Sequence, residues 1–151
     1  MMGKYFYLCS YPLKIGSIVL PGNWGRILKL YTPNSGNAWL IVREKIFEEI
    51  RLSQFSTKPS RLEANFLCEN KEDIIAFRKE TNRLFDLAYE VEIVNPSLPT
   101  HRGCLRFLDI KTQDSNDQLV RNAKAYWNGE DIQKPEIVTP SEICVVSYVE
   151  I

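Results

Sequence analysis

Apolar positions along the chain fall into short blocks with two different periods. Tyr5 to Ser10 is a run of β-formers that stops before Pro12, and Ile18 to Leu20 is a second short apolar piece closed by Pro21-Gly22. Arg26 to Tyr31 alternates less cleanly and ends at the polar loop Thr32 to Asn37. Within Ala38 to Leu52, Trp39, Val42, Ile46, Phe47 and Ile50 recur at three- and four-residue steps, which predicts an amphipathic helix capped by Asn37. Arg43, Glu44, Lys45, Glu48, Glu49 and Arg51 fill the remaining face and read as solvated, with Lys45 and Glu49 spaced for an i,i+4 contact.

Leu62 to Cys68 reads as a short strand, and Asn70 as the start of a helix that carries Ile74, Ile75 and Phe77 to about Asn82. Leu84 to Val94 is the longest strand candidate, with Phe85, Leu87, Tyr89, Val91 and Ile93 on one side and Glu90 and Glu92 on a solvated side. A loop holding Pro96, Pro99, His101 and Gly103 precedes a further strand from Cys104 to Ile110. Asp114 or Ser115 caps a helix bearing Leu119, Val120, Ala123, Tyr126 and Trp127, and Asn128-Gly129 ends it. Glu142 to Ile151 alternates again, Ile143, Val145, Val149 and Ile151 against Glu142 and Glu150. The strand connections lack regular helical crossovers. The order predicts one α+β domain over residues 1–151, with a split or twisted, mainly antiparallel sheet and about three helices.

Charge narrows the partners. Nineteen basic residues balance nineteen acidic ones, which removes the usual electrostatic argument for nonspecific nucleic-acid binding while leaving a local basic patch open. No apolar run approaches the length of a membrane span, and the amino-terminal run is cut by Ser10 and Pro12, unlike a secretory signal. The expected setting is the cytoplasm, with no membrane contact. Cys9, Cys68, Cys104 and Cys144 are irregularly spaced and unaccompanied by a His cluster, which argues against zinc. They read as reduced small hydrophobes, with two bridges open to an exported protein.

Candidate chemistry is sparse. The only histidine, His101, stands in PSLPTHRGC without an evident partner and reads as a surface loop residue rather than a catalyst. Neither a G-x-S-x-G elbow, a P-loop nor a G-x-G-x-x-G fingerprint occurs. In KPSRL, Arg61 offers a planar fork for phosphate or carboxylate; the structural alternative ties it to Glu48 or Glu49. Glu142 opens the last strand, where pattern alone makes it an exposed carboxylate.

Taken together, YFYLCS, LKIGSIVLPGNWG, VREKIFEEIR, KPSRLEANFLCENKEDIIAF, YEVEIV, AKAYWNG and PSEICVVSYVE form a collinear set over nearly the whole chain. That set resembles the bacterial family called domain of unknown function 2441, within the ADP-ribosyltransferase-like superfamily, and is similar in order to rifampin-type ADP-ribosyltransferases. The resemblance implies a split sheet that clasps NAD, and transfer of ADP-ribose to an acceptor such as a protein. In the superfamily's first motif, a strand-borne His or Arg stands in Tyr-His-Gly-Ser or Tyr-His-x-Ser. Here Tyr7-Leu8-Cys9-Ser10 occupies that register, so Leu8 replaces the histidine and Ser10 matches the hydroxyl. Leucine cannot hydrogen-bond the ribose.

The resemblance also puts Gly16 in the loop beside the cofactor and Phe66 at the second motif, placed to stack on nicotinamide but without a hydroxyl. It makes Glu142 the third-motif glutamate, which supports an oxocarbenium-like ribose as nicotinamide leaves. Arg26 and Arg61 are candidates to replace the lost donor. Two other functions stay open: a catalytically inactive protein-binding module of the same fold, and NAD-dependent processing of RNA 2′-phosphates. Net neutrality argues against the second.

Overall fold

The computed structural model describes residues 3–151. The aromatic run forms β1 (Tyr5–Cys9), and after the Gly16 turn comes the two-residue β2 (Ile18–Val19). Then follow α1 (Asn23–Leu28), α2 (Ala38–Gln54), a 3-10 turn at Arg61–Glu63, β3 (Asn65–Leu67) and α3 (Lys71–Glu80). The chain continues with β4 (Leu87–Ile93), β5 (His101–Cys104), a 3-10 turn at Leu105–Leu108, α4 (Asn116–Trp127), β6 (Pro135–Thr139) and β7 (Ile143–Val149).

All pairings between strands are antiparallel, in a four-stranded sheet ordered β1-β4-β7-β2 and a three-stranded sheet ordered β3-β6-β5. The expected split α+β architecture is present. An isolated bridge between Phe6 and Cys68, with two 2.9 Å backbone hydrogen bonds, joins the sheets.

Three apolar clusters follow from this arrangement. Phe47 of α2 and Ala123, Tyr126 and Trp127 of α4 pack on Val138 of β6. Leu67 and Ile137 of the three-stranded sheet meet Tyr89, Val91, Ile143 and Val145 of the four-stranded one. Ile74 and Phe77 of α3 cover Leu8 and Ala88. Within β3, Phe66, Leu67 and Cys68 beyond it each join a different cluster, so this short segment ties the layers together.

Several sequence expectations are corrected. The Arg26–Tyr31 stretch begins inside α1, a fourth helix in which Gly25 lets the backbone approach the Leu62 carbonyl; a Cβ there would sit 2.2 Å from that oxygen. In α2 the inward face contains Arg43 and Glu44 with Phe47, while Trp39 and Val42 are exposed. The ion pairs within this helix join Arg51 to Glu48 at 2.5 Å and Arg43 to Glu44 at 3.1 Å, not Lys45 to Glu49. Phe85 precedes β4 and is 97% exposed rather than part of its inner face. Cys104 ends a strand instead of starting one, because the chain turns into a 3-10 segment at Leu105. His101 is a buried strand residue, not a surface loop residue.

The strand β6 had no counterpart in the sequence reading. It is the middle strand of its sheet and every residue is buried, so it shows no alternation, and Glu136 interrupts its apolar run.

Candidate functional site

Two cavities flank α1, and both are lined by Arg26. The smaller, about 270 Å³, gathers Tyr7 and Leu8 of β1 and Ser10 just beyond it with Leu13, Ile18, Val19 and Leu20 from the β1–β2 region, Asn23 and Arg26 of α1, and Arg83. Its position follows from local geometry. The loop after β1 turns back at Gly16, where φ is +87° and the N–H donates to the Val145 carbonyl at 2.8 Å, which sets β2 against β7. Arg83 is held by Asp86, with Nε to Oδ2 at 2.5 Å, while its Nη2 donates to the Leu8 carbonyl at 3.3 Å.

Tyr7, Leu8 and Ser10 thus line one cavity, though their side chains are placed differently. Leu8 presents its carbonyl to Arg83 while its side chain is buried against Cys68, Ile74, Phe77 and Ala88. Tyr7 packs on the opposite face of the strand. Burial, with a smaller contribution from Cys9, pushes its phenol up to about 12, so it stays protonated.

The remaining candidates lie elsewhere. Gly16 shapes the loop but does not line the cavity. Phe66 sits beneath the Arg61 guanidinium, 4.8 Å from ring centroid to Cζ. Glu142 is exposed at the start of β7, and its carbonyl accepts from Val94 N–H at 3.0 Å. Continuing the Ile18–Cys144 and Val19–Ile143 register by one residue sets Glu142 opposite Leu20, at the border of the smaller cavity rather than within it.

Arg61 is structural. Its Nε donates to Glu44 Oε1 at 2.9 Å, and its Nη1 donates to Glu136 and, at 2.8 Å, to the Tyr126 hydroxyl. Tyr126 in turn donates to Glu136 at 2.6 Å. The partners are Glu44 and Glu136, not Glu48 or Glu49; Glu48 instead accepts from Ser60 Oγ at 2.6 Å. Burial would raise the Glu44 carboxyl, yet Arg61 and Arg43 beside it hold it below the usual carboxylate range. Arg61 therefore has no charge to spare for a ligand.

Residues 26–151 match a family described as a protein of unknown function, DUF2441. The chain belongs to DUF2441. That match begins at Arg26, so the family segment includes Arg26, Phe66, Arg83 and Glu142, while Tyr7, Leu8, Ser10 and Gly16 precede it. Among curated proteins, none matches the chain.

Within this DUF2441 chain, sequence reasoning missed Arg83 and Asn23 as cavity residues. Nothing in their local pattern marks them; Arg83 enters the site only because β1 pairs with β4 just beyond it. Among the described residues, no cluster of three or more His, Cys, Asp and Glu is arranged to hold a metal ion. All four cysteines are free thiols. No helix among the described residues is long and apolar enough to cross a membrane.

Proposed function

We propose that this chain is a cytoplasmic ADP-ribosyltransferase-like protein that binds NAD at the smaller cavity and transfers ADP-ribose slowly. The supporting observation is the gathering of Tyr7, Leu8 and Ser10 with Arg26 and Arg83 around that cavity. Two guanidinium groups offer forked donors to a pyrophosphate. Leu13, Ile18, Val19 and Leu20 provide apolar wall for a ring, and the Ser10 hydroxyl is exposed to bond a ribose.

Transfer needs more than binding. Charge developing on the ribose must meet preorganised donors and a carboxylate, and loss of one such donor costs on the order of 100-fold in rate. Leu8 supplies no donor, and Glu142 stands at the cavity's border.

Calorimetry with NAD tests this reading, alongside release of nicotinamide. Binding weakened by Arg83→Ala, with slow release that Glu142→Ala abolishes, is the expected result. Absence of binding at millimolar NAD overturns it. That outcome favours the second reading, a protein-binding module, for which the exposed apolar side chains of Tyr11, Ile15, Ile18 and Leu20 around the β1–β2 loop are the motivating observation.

A further inference from the structure

The larger cavity, about 600 Å³, lies between α1, the first half of α2 and the 61–63 turn, and its size is that of a small-molecule site. The half-buried side chains of Pro21, Leu28, Ile41 and Leu62 give it apolar walls. At its rim stand Arg26 and Lys29 on one side and Lys45 of α2 on the other, all exposed. Among the described residues, none of these three cations pairs with a carboxylate, whereas Arg43, Arg51, Arg61, Arg83, Arg102 and Arg106 all do. Arg26 spends one Nη on the Pro21 carbonyl at 3.1 Å. A single exposed carboxylate, Glu63, shares the rim. The chain as a whole is neutral, so this rim is a local excess of positive charge that favours an anion.

Glu44 lines the same cavity but is only 2% exposed, and its carboxylate is committed to Trp24, Arg43 and Arg61. Its charge is met by the two arginines and does not offset the rim. Beyond Glu44, every polar side chain lining the cavity is one of the four charged groups at the rim. The walls therefore offer no free side-chain partner to a hydroxyl, an amide or the edge of a base. Burying such groups there unpaired costs free energy, while an apolar body gains by leaving water.

We propose that this cavity binds an amphipathic organic anion, its apolar body between Pro21, Leu28, Ile41 and Leu62 and its single terminal carboxylate or phosphate on Arg26, Lys29 and Lys45. Both head groups accept hydrogen bonds from guanidinium and ammonium donors. Arg26 alone is shared with the smaller cavity, so the inference does not rest on the NAD reading.

Calorimetry on the full chain tests it with octanoate, octyl phosphate, 1-octanol and inorganic phosphate. Ile41→Trp fills the cavity, Lys29→Glu and Lys45→Glu reverse rim charges, and Arg83→Ala perturbs the smaller cavity, with far-UV circular dichroism to confirm folding. Should Ile41→Trp fail to fold, the two exposed lysines carry the test. At least one of the octyl anions should bind, and 1-octanol and inorganic phosphate should each bind about 10-fold more weakly or not at all. Each of Ile41→Trp, Lys29→Glu and Lys45→Glu should weaken the octyl anion by about 10-fold, while Arg83→Ala leaves it unchanged. Tighter binding of octyl phosphate assigns a phosphate head, and equal or tighter binding of octanoate a carboxylate. The inference is overturned if neither octyl anion binds at millimolar concentration, if 1-octanol or inorganic phosphate binds as tightly, or if Arg83→Ala weakens binding and the lysine reversals do not. NAD binding that depends on Arg83, with no binding of either octyl anion, overturns this site and leaves the NAD cleft standing.

Discussion

His101 packs between Tyr126 and Trp127, with ring centroids 5.1 Å and 4.9 Å away. Its Nε2–H donates to the Tyr126 carbonyl at 2.8 Å, leaving Nδ1 to accept from Lys58 Nζ at 3.2 Å. Burial, then the Lys58 charge, lowers its pKa from 6.5 to about 4. The unfolded chain therefore binds more protons between those values, and the contribution of the neutral imidazole is complete above pH 6.5 and lost as pH falls towards 4. Within that window, stability should drop by up to about 1.4 kcal/mol per pH unit from this site. Urea midpoints between pH 7 and 4.5 should slope less in His101→Asn than in the parent; equal slopes would refute the assignment. The neighbouring Gly103 serves packing, since a Cβ there would lie 2.1 Å from the Tyr126 ring.

At the scale of elements, the Arg61–Glu44–Glu136 network fastens the turn before β3 to α2 and to β6, with Tyr126 bringing in α4. Two arginines and two glutamates are buried together, so each charge is tolerable only while its partners remain. Arg61→Met should cost about 3–5 kcal/mol by leaving Glu44 and Glu136 undercompensated. Adding Glu136→Gln should restore part of that loss. Equilibrium denaturation measures both, and a single-variant cost below about 1 kcal/mol would mean that the network does not hold these elements. Capping, by contrast, is local. Asn70 accepts from Asp73 N–H at 2.9 Å and Ser115 from Gln118 N–H at 3.2 Å, each at the helix start that the sequence indicated.

For the whole molecule, the three apolar clusters are not separable units. Phe66, Leu67 and Cys68 connect all three in consecutive positions, and Leu105 packs on two of them. Loss of any one layer exposes the others, which is the condition for all-or-none unfolding. Tryptophan fluorescence includes Trp127, fully buried in the helix-side cluster, while far-UV circular dichroism reports all sheets and helices. The two denaturation curves should coincide. A separate fluorescence transition would show that α2 and α4 come away from the sheets independently.

By itself the sequence determined the features that depend on neighbours along the chain. The strand β1 ends before Pro12, α3 and α4 begin at Asn70 and Ser115, and β4 and β7 alternate because each has one well-buried face. It also brought Tyr7, Leu8 and Ser10 forward as a group, and these share a cavity. Tertiary structure decided what depends on distant partners. Arg43 and Glu44 read as solvated in a linear pattern and Arg61 as a fork for a ligand or for Glu48 or Glu49; with Glu136 they form one interior network only because α2, β6 and the 61–63 turn meet. The strand β6 escapes notice because burial on both faces erases its period. Leu8 is legible as an apolar residue in a β-rich run, but only the fold shows that its side chain belongs to the α3 core while Arg83 reaches its carbonyl. Periodicity records which side of an element is buried; the partners in that burial come from the fold.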